Sequence, residues 1–181
     1  MPLRRWRWTI LVVGGALALS ACSSPTLGVL TSADIPSYLG LTANPAATAT
    51  AAHESGTERH CTKAGLAVFT MPGRTIPKTG SILSMVRSGT GPIVVSADYS
   101  CTTPSDAHMA FKSDVGDNGP RIAGIGDEAT LLDFSAGQRS YDVEWREGNQ
   151  IGAVIVVGPT KDKRITHALV ESLARRAAAT S

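Results

Sequence analysis

Residues 141–157, YDVEWREGNQIGAVIVV, decide the fold. Tyr141, Val143 and Trp145 alternate with Asp142, Glu144 and Arg146, the period-two pattern of a strand that buries one face. Gly148 and Asn149 follow as a tight turn, because both residue types tolerate positive φ. IGAVIVV, residues 151–157, is then apolar at successive positions, so it is apolar on both faces and belongs in the middle of a sheet as the antiparallel partner. Trp145 shares a face with Tyr141 and Val143, which makes it a core residue and leaves no stripe of rings for stacking on carbohydrate.

Downstream, residues 159–179 (PTKDKRITHALVESLARRAAA) form an amphipathic helix whose stripe of Ile165, Ala168, Leu169 and Leu173 needs a sheet to cover. Upstream, GLAVFTM (65–71), SILSMVRS (81–88) and PIVVSADYSC (92–101) are short apolar runs between Pro- and Gly-containing turns, the signature of hairpin-connected strands. Thr103-Pro104-Ser105-Asp106 opens a helix with Ala107, Phe111 and Val115 on one face, and GDNGP (116–120) stops it. Residues 41–59, rich in alanine and threonine without an apolar period, read as a long loop or an edge strand. SADIPSYLG (32–40) reads as a helix of about two turns, with Thr31 or Ser32 accepting from its first N–H groups and Pro36 confined to the first turn. Helix, strands, helix, strands, helix make an α+β domain: an antiparallel sheet packed by two or three helices in two layers, ending in the amphipathic helix.

The chain begins with Arg4, Arg5 and Arg7, continues with an apolar run from Ile10 to Leu19, and reaches small residues before Cys22, the layout of a secretory signal. The apolar run is about half the roughly 20 residues that span a bilayer as a helix. Leu19-Ser20-Ala21-Cys22 resembles the lipobox of bacterial lipoproteins. That resemblance implies removal of residues 1–21, diacylglyceryl transfer to the Cys22 thiol and a mature protein that starts there. Two acyl chains hold a protein on a membrane where one holds only marginally, at about 0.8 kcal/mol per buried methylene. The partner implied first is therefore the membrane, on its extracytoplasmic face. Arg4-Arg5 raises a twin-arginine route, but Arg7 and Trp8 stand where that signal carries apolar residues, which favours general secretion.

Three of the 17 basic residues and none of the 15 acidic ones lie in residues 1–21, so the remainder has a formal charge of −1. Its basic groups, Lys161 to Arg164 and Arg175-Arg176, are too short or mixed for a nucleic-acid footprint. Residues 22–30 are then a lipidated terminus with a short tether, and residues 31–181 are one domain of a size that supports a core. With Cys22 assigned to lipid, Cys61 and Cys101 remain as a pair in an oxidising compartment. A catalytic thiol or a metal held by His60-Cys61 competes with this, but adjacent ligands suit one metal poorly and no second cluster completes the set.

LTSADIPSYLG, YSC leading into a helix, IAGIGDEA (122–129) and VEWREGNQIGAVIVV with its helix together resemble small actinobacterial lipoproteins and extracytoplasmic sensor-like domains related to that of the PknH kinase. The resemblance implies a ligand-binding or sensing module in the cell envelope, here with one possible disulfide and no kinase domain.

Other chemistries find little support. Gly124-x-Gly126-x-x-Ala129 fits a dinucleotide fingerprint, but Asp127 and Glu128 would set two negative charges beside the pyrophosphate and TLLDF reads as a strand, so a glycine turn entering a strand is the better account. Asp127 and Glu128 would point to opposite faces of such a strand, a poor arrangement for paired acid and base work. DVGDNG (114–119) has Gly116 where a calcium loop wants a ligand, and His53, His60, His108 and His167 are scattered. No HExxH, GxSxG or P-loop occurs. The expectation is a lipid-anchored, non-catalytic binding domain without metal or cofactor, its ligand an envelope protein, peptide or lipid. Contact is expected at a groove between the C-terminal helix and the sheet, or at loop 116–128. A carrier of hydrophobic ligands is the first alternative. A hydrolase with dispersed residues, tested at His108, Asp127 and Glu128, is the second.

Overall fold

The computed structural model describes residues 28–54, 60–74, 91–115, 118–135 and 137–180. Residues 1–21, Cys22 and the expected strand 81–88 lie outside them. The expected hairpin is present as β5 (Arg139–Glu147) and β6 (Gln150–Gly158), with Val143 opposite Val154 and Trp145 opposite Gly152. β4 (Glu128–Asp133) pairs outside β5, and β3 (Ile93–Cys101) pairs on the free side of β6. β2 (Cys61–Thr70) and the short β1 (Thr42–Ala43) complete an antiparallel sheet in the order β1-β2-β3-β6-β5-β4. β6 is thus central, as its doubly apolar pattern requires.

Register sorts the side chains between two faces. Phe69, Val94, Val154, Val156, Tyr141, Val143, Trp145, Leu131 and Ala129 share one face, and α3 (His167–Ala179) covers it with Leu169, Val170, Leu173, Ala174 and Ala177. Thr166 caps α3, its hydroxyl accepting from the Leu169 N–H. The other face packs Val68, Ile93, Val95 and Val157 against Ala47 of α1 (Pro45–Glu54), and Ile151, Leu132 and the two cysteines against Ala107, Ala110, Phe111 and Val115 of α2 (Pro104–Val115). The α+β class, the antiparallel sheet and the C-terminal helix are as expected; the layers number three, not two, because helices close both faces. A fully buried Val, Leu or Phe is worth about 1.5–3 kcal/mol over exposure, so each face carries its own share of the stability.

Three local differences have physical causes. Residues 41–59 yield β1 and then α1, which starts where the Asn44 carboxamide oxygen accepts from the Ala47 N–H and Pro45 fills the first position, where no N–H is needed. SADIPSYLG makes a 3-10 turn, Ser37–Leu39, closed by Gly40 at φ 65°, instead of a two-turn helix. No side chain caps it; ahead of it the Asp34 carboxylate accepts from both the N–H and the hydroxyl of Thr31 at 2.7 Å, so Thr31 donates there instead of accepting from a helix. In the hairpin turn Gly148 alone takes positive φ, 56°; Asn149 acts through its side chain, which donates to the Cys101 carbonyl.

Candidate functional site

Two constructions lie near the hairpin end of the sheet, one on each face. On the α3 face the chain enters the fold as a strap of Gly28, Val29 and Leu30. The Leu30 N–H donates to Ser96 Oγ at 3.1 Å, and that hydroxyl donates to the Gly28 carbonyl at 3.2 Å. Glycines make the seat: a Cβ on Gly65 would meet Val29 Cγ2, one on Gly152 would meet the Trp145 ring, and Gly28 itself sits at φ 86° against Trp145 and Asp98. Asp98 beneath the strap is 3 % exposed, and its Oδ2 has no hydrogen-bond partner. Burial pushes its carboxyl up to about 6, opposed only by the Tyr99 backbone N–H.

On the other face Glu128, at the start of β4, collects nitrogen-bearing side chains from β5 and α2. Arg146 Nε lies 3.1 Å from its Oε1, His108 Nδ1 2.8 Å from the same oxygen and Lys112 Nζ 4.0 Å from Oε2. Burial alone would raise the Glu128 carboxyl, but the bonds from His108 and Arg146 outweigh it and hold the group below the usual range. Arg146 Nη1 also reaches Asp127 at 3.1 Å, and the Asp127 carboxylate accepts from the Gly148 N–H. Asp127 and Glu128 therefore converge on one guanidinium instead of pointing apart, because Asp127 lies in the bend before β4, where strand alternation does not apply. The fingerprint glycines act as the expected turn: Gly124 and Gly126 have positive φ, and a Cβ on Gly126 would meet the Arg146 carbonyl.

The structure brings His108, Asp127 and Glu128 together through Arg146, and their shared work is to tie the entry of β4 to the β5–β6 turn. A carboxylate paired with Arg146 and Lys112, hydrogen-bonded to His108 and held below its usual range has little basicity left for abstracting a proton. Farther along the same face Asp142 is buried with Oδ1 unpartnered; burial raises its carboxyl, a hydrogen bond with Glu144 opposes this and the charge of Asp114 adds to it. Among the described residues no three His, Cys, Asp or Glu side chains are placed to hold a metal.

Cys61 and Cys101 are cross-strand partners on β2 and β3 and form the disulfide, with sulfurs 2.04 Å apart. The expected groove between the C-terminal helix and the sheet is filled: Val170, Leu173 and Ala174 are wholly buried there. Loop 118–128 is also fastened, its Ala123 and Gly124 carbonyls accepting from Arg175 and its Ile122 N–H donating to Ala129. The exposed aromatic side chains among the described residues lie instead at the opposite end of the strands, where Tyr38 and Phe134 are 58 % and 54 % exposed beside exposed Lys161, Lys163 and Arg164; Met109 on α2 is exposed as well. Arg164 joins this group by donating to the Tyr38 carbonyl.

The strap seat and the exposed end are absent from the sequence reading. The only signal for the first was a set of glycines, Gly28, Gly65 and Gly152, far apart in the chain. No helix among the described residues is long and apolar enough to cross a membrane. No family model matches the chain, and no curated protein or solved structure matches it.

Proposed function

We propose that the protein is a lipid-anchored envelope lipoprotein, held on the extracytoplasmic face through Cys22, whose domain binds a protein or peptide partner and has no catalysis of its own. The observation that carries this reading is the strap. The chain joins the fold at the hairpin end, six residues after Cys22, while the exposed Tyr38, Phe134 and Lys161 to Arg164 stand at the other end of the strands. Strands of 9 residues separate the ends by about 30 Å. An anchor at one end leaves the other free to meet a partner. The disulfide supports an oxidising compartment, and the lipobox resemblance supports acylation.

Two measurements test the two halves. Alkyne-palmitate labelling and membrane fractionation of Cys22→Ala should show loss of both label and retention; persistence of either refutes the anchor. A photo-cross-linking residue at Phe134 of the full chain should capture an envelope protein that the same residue at Glu147, at the hairpin end, does not. Equal capture at both positions, or none at Phe134, refutes the binding surface.

A further inference from the structure

Asp98 is a carboxyl sealed beneath Gly28 of the strap, the part of its surroundings that lies outside the sheet ladders. Its neighbours on the sheet are Gly65 of β2, its register partner, Gly152 of β6 and Trp145 of β5, and Gly28 of the strap closes the site. None of these carries a charge. Lys63, on β2, pairs with Tyr99 and so lies on the opposite face of the sheet; Glu147, on β5, is exposed at the hairpin end. From α3, Arg176 is committed to the Asp34 carbonyl and Arg175 to those of Ala123 and Gly124. An ionised carboxylate there would lack both a counter-charge and water, a state far costlier than the neutral acid. The strands are locked in ladders on both sides, whereas the strap is fastened by two hydrogen bonds through the Ser96 hydroxyl and by Leu30, whose side chain is packed in the core, so that Gly28 and Val29 are its lightly held part.

We propose that Asp98, Ser96 and the strap form a proton-controlled clasp on the segment that leads to the membrane. With Asp98 protonated the strap lies seated in its glycine trough. When Asp98 gives its proton to water, the carboxylate draws solvent in and lifts Gly28 and Val29 away from Trp145, pivoting on Leu30, which stays packed in the core. Combined with the proposed anchor at Cys22, release lengthens the tether: residues 23–27 reach at most about 18 Å, and two more residues add about 7 Å. The domain would then stand close to the bilayer in acid and farther from it at neutral pH. The clasp itself does not depend on the anchor.

Trp145 touches the strap and reports its position. In the detergent-solubilised full chain carrying Trp6→Phe and Trp8→Phe, Trp145 is the sole tryptophan. Its emission should shift to the red, and acrylamide quenching should rise, with a midpoint near pH 6 and no change in far-UV circular dichroism. Asp98→Asn should abolish the shift. Ser96→Ala, which unfastens the strap without touching the carboxyl, should move the midpoint to lower pH, and it keeps the test decisive if Asp98→Asn does not fold. Flat emission from pH 4.5 to 8, a transition that survives Asp98→Asn, or a matching transition in circular dichroism overturns the clasp. Cys22→Ala should leave the titration unchanged, so failure of the anchor and failure of the clasp read out separately.

Discussion

Gly152→Ala places one methyl group at the point where β6 passes under Trp145. A Cβ there would lie 2.1 Å from Trp145 Cζ2 and 2.3 Å from Cε2, so the ring must move by roughly 1.5 Å to restore ordinary contact. The ring has little room to do so, because Trp145 is 3 % exposed and packed within the core. Overpacking of this kind costs about 1–3 kcal/mol, and the boxed-in ring puts Gly152→Ala at the upper end, about 3 kcal/mol. With a urea dependence of about 1–3 kcal/mol per molar, the unfolding midpoint should fall by about 1–3 M. Trp145→Leu should remove the obstacle, so the double variant should be more stable than the sum of the single costs predicts, by at least about 1 kcal/mol of coupling. If Gly152→Ala unfolds within about 0.5 kcal/mol of the wild type, or the two changes add without coupling, Trp145 is not confined by β6 and the packing argument fails.

Asp98, raised to about 6, binds a proton in the folded state that the unfolded chain has lost, so stability is highest below pH 4 on this account and declines as pH rises to about 6. Urea midpoints should record a loss of about 3 kcal/mol over that interval that Asp98→Asn removes, with raised Asp142 adding a loss of the same sign; a wild-type slope no steeper than that of Asp98→Asn would contradict it. Replacing Arg146 with Ala leaves Asp127 and Glu128 facing each other with His108 and Lys112, at a cost of about 2–4 kcal/mol in chemical unfolding; Arg146→Lys should recover less than half, because the guanidinium bonds both carboxylates and the Gly148 carbonyl at once. Joint replacement of Cys61 and Cys101 by Ala should cost about 4 kcal/mol, the loop-closure value for a separation of 40 residues, and the wild type should show no reactive thiol at either position when denatured without reductant.

Where periodicity carried the information, the fold was readable. The alternation of Tyr141, Val143 and Trp145 and the doubly apolar β6 each describe an element by what it buries, and each is found where its pattern points; of the expected stripe of α3, Leu169 and Leu173 are buried on the helix, whereas Ile165 is buried just before its start at His167 and Ala168 is exposed. α1 was not readable that way. Only Ala47 among its described side chains is buried, so an alanine and threonine helix resting on a flat patch of Val68, Ile93 and Val95 leaves no stripe to detect. Its visible signals were the Asn44 cap and Pro45 at the first position. The third layer could nevertheless have been inferred from β6: Ile151, Ile155 and Val157 point away from Val154 and Val156, and a strand apolar on both sides requires cover on both sides.

The strap seat was illegible for a different reason. A glycine in a strand announces only that something approaches, and what approaches Gly65 is Val29, while what fills the space over Gly152 is Trp145 from the neighbouring strand. Neither pairing has a periodic or local mark. Asp98 in PIVVSADYSC shows the same limit: alternation puts it on the face shared by Val94 and Ser96, so a polar side chain stands on an apolar face. Read strictly, that is a conflict between pattern and residue, and such conflicts are where a fold carries something beyond packing. Leucine at this position would have served the core and asked nothing of the strap above it. A buried acid beneath Gly28, which one serine hydroxyl fastens, makes the seating of that part of the strap depend on protonation, and this is why the polar residue, rather than the apolar ones around it, marks the part of the sheet most worth perturbing.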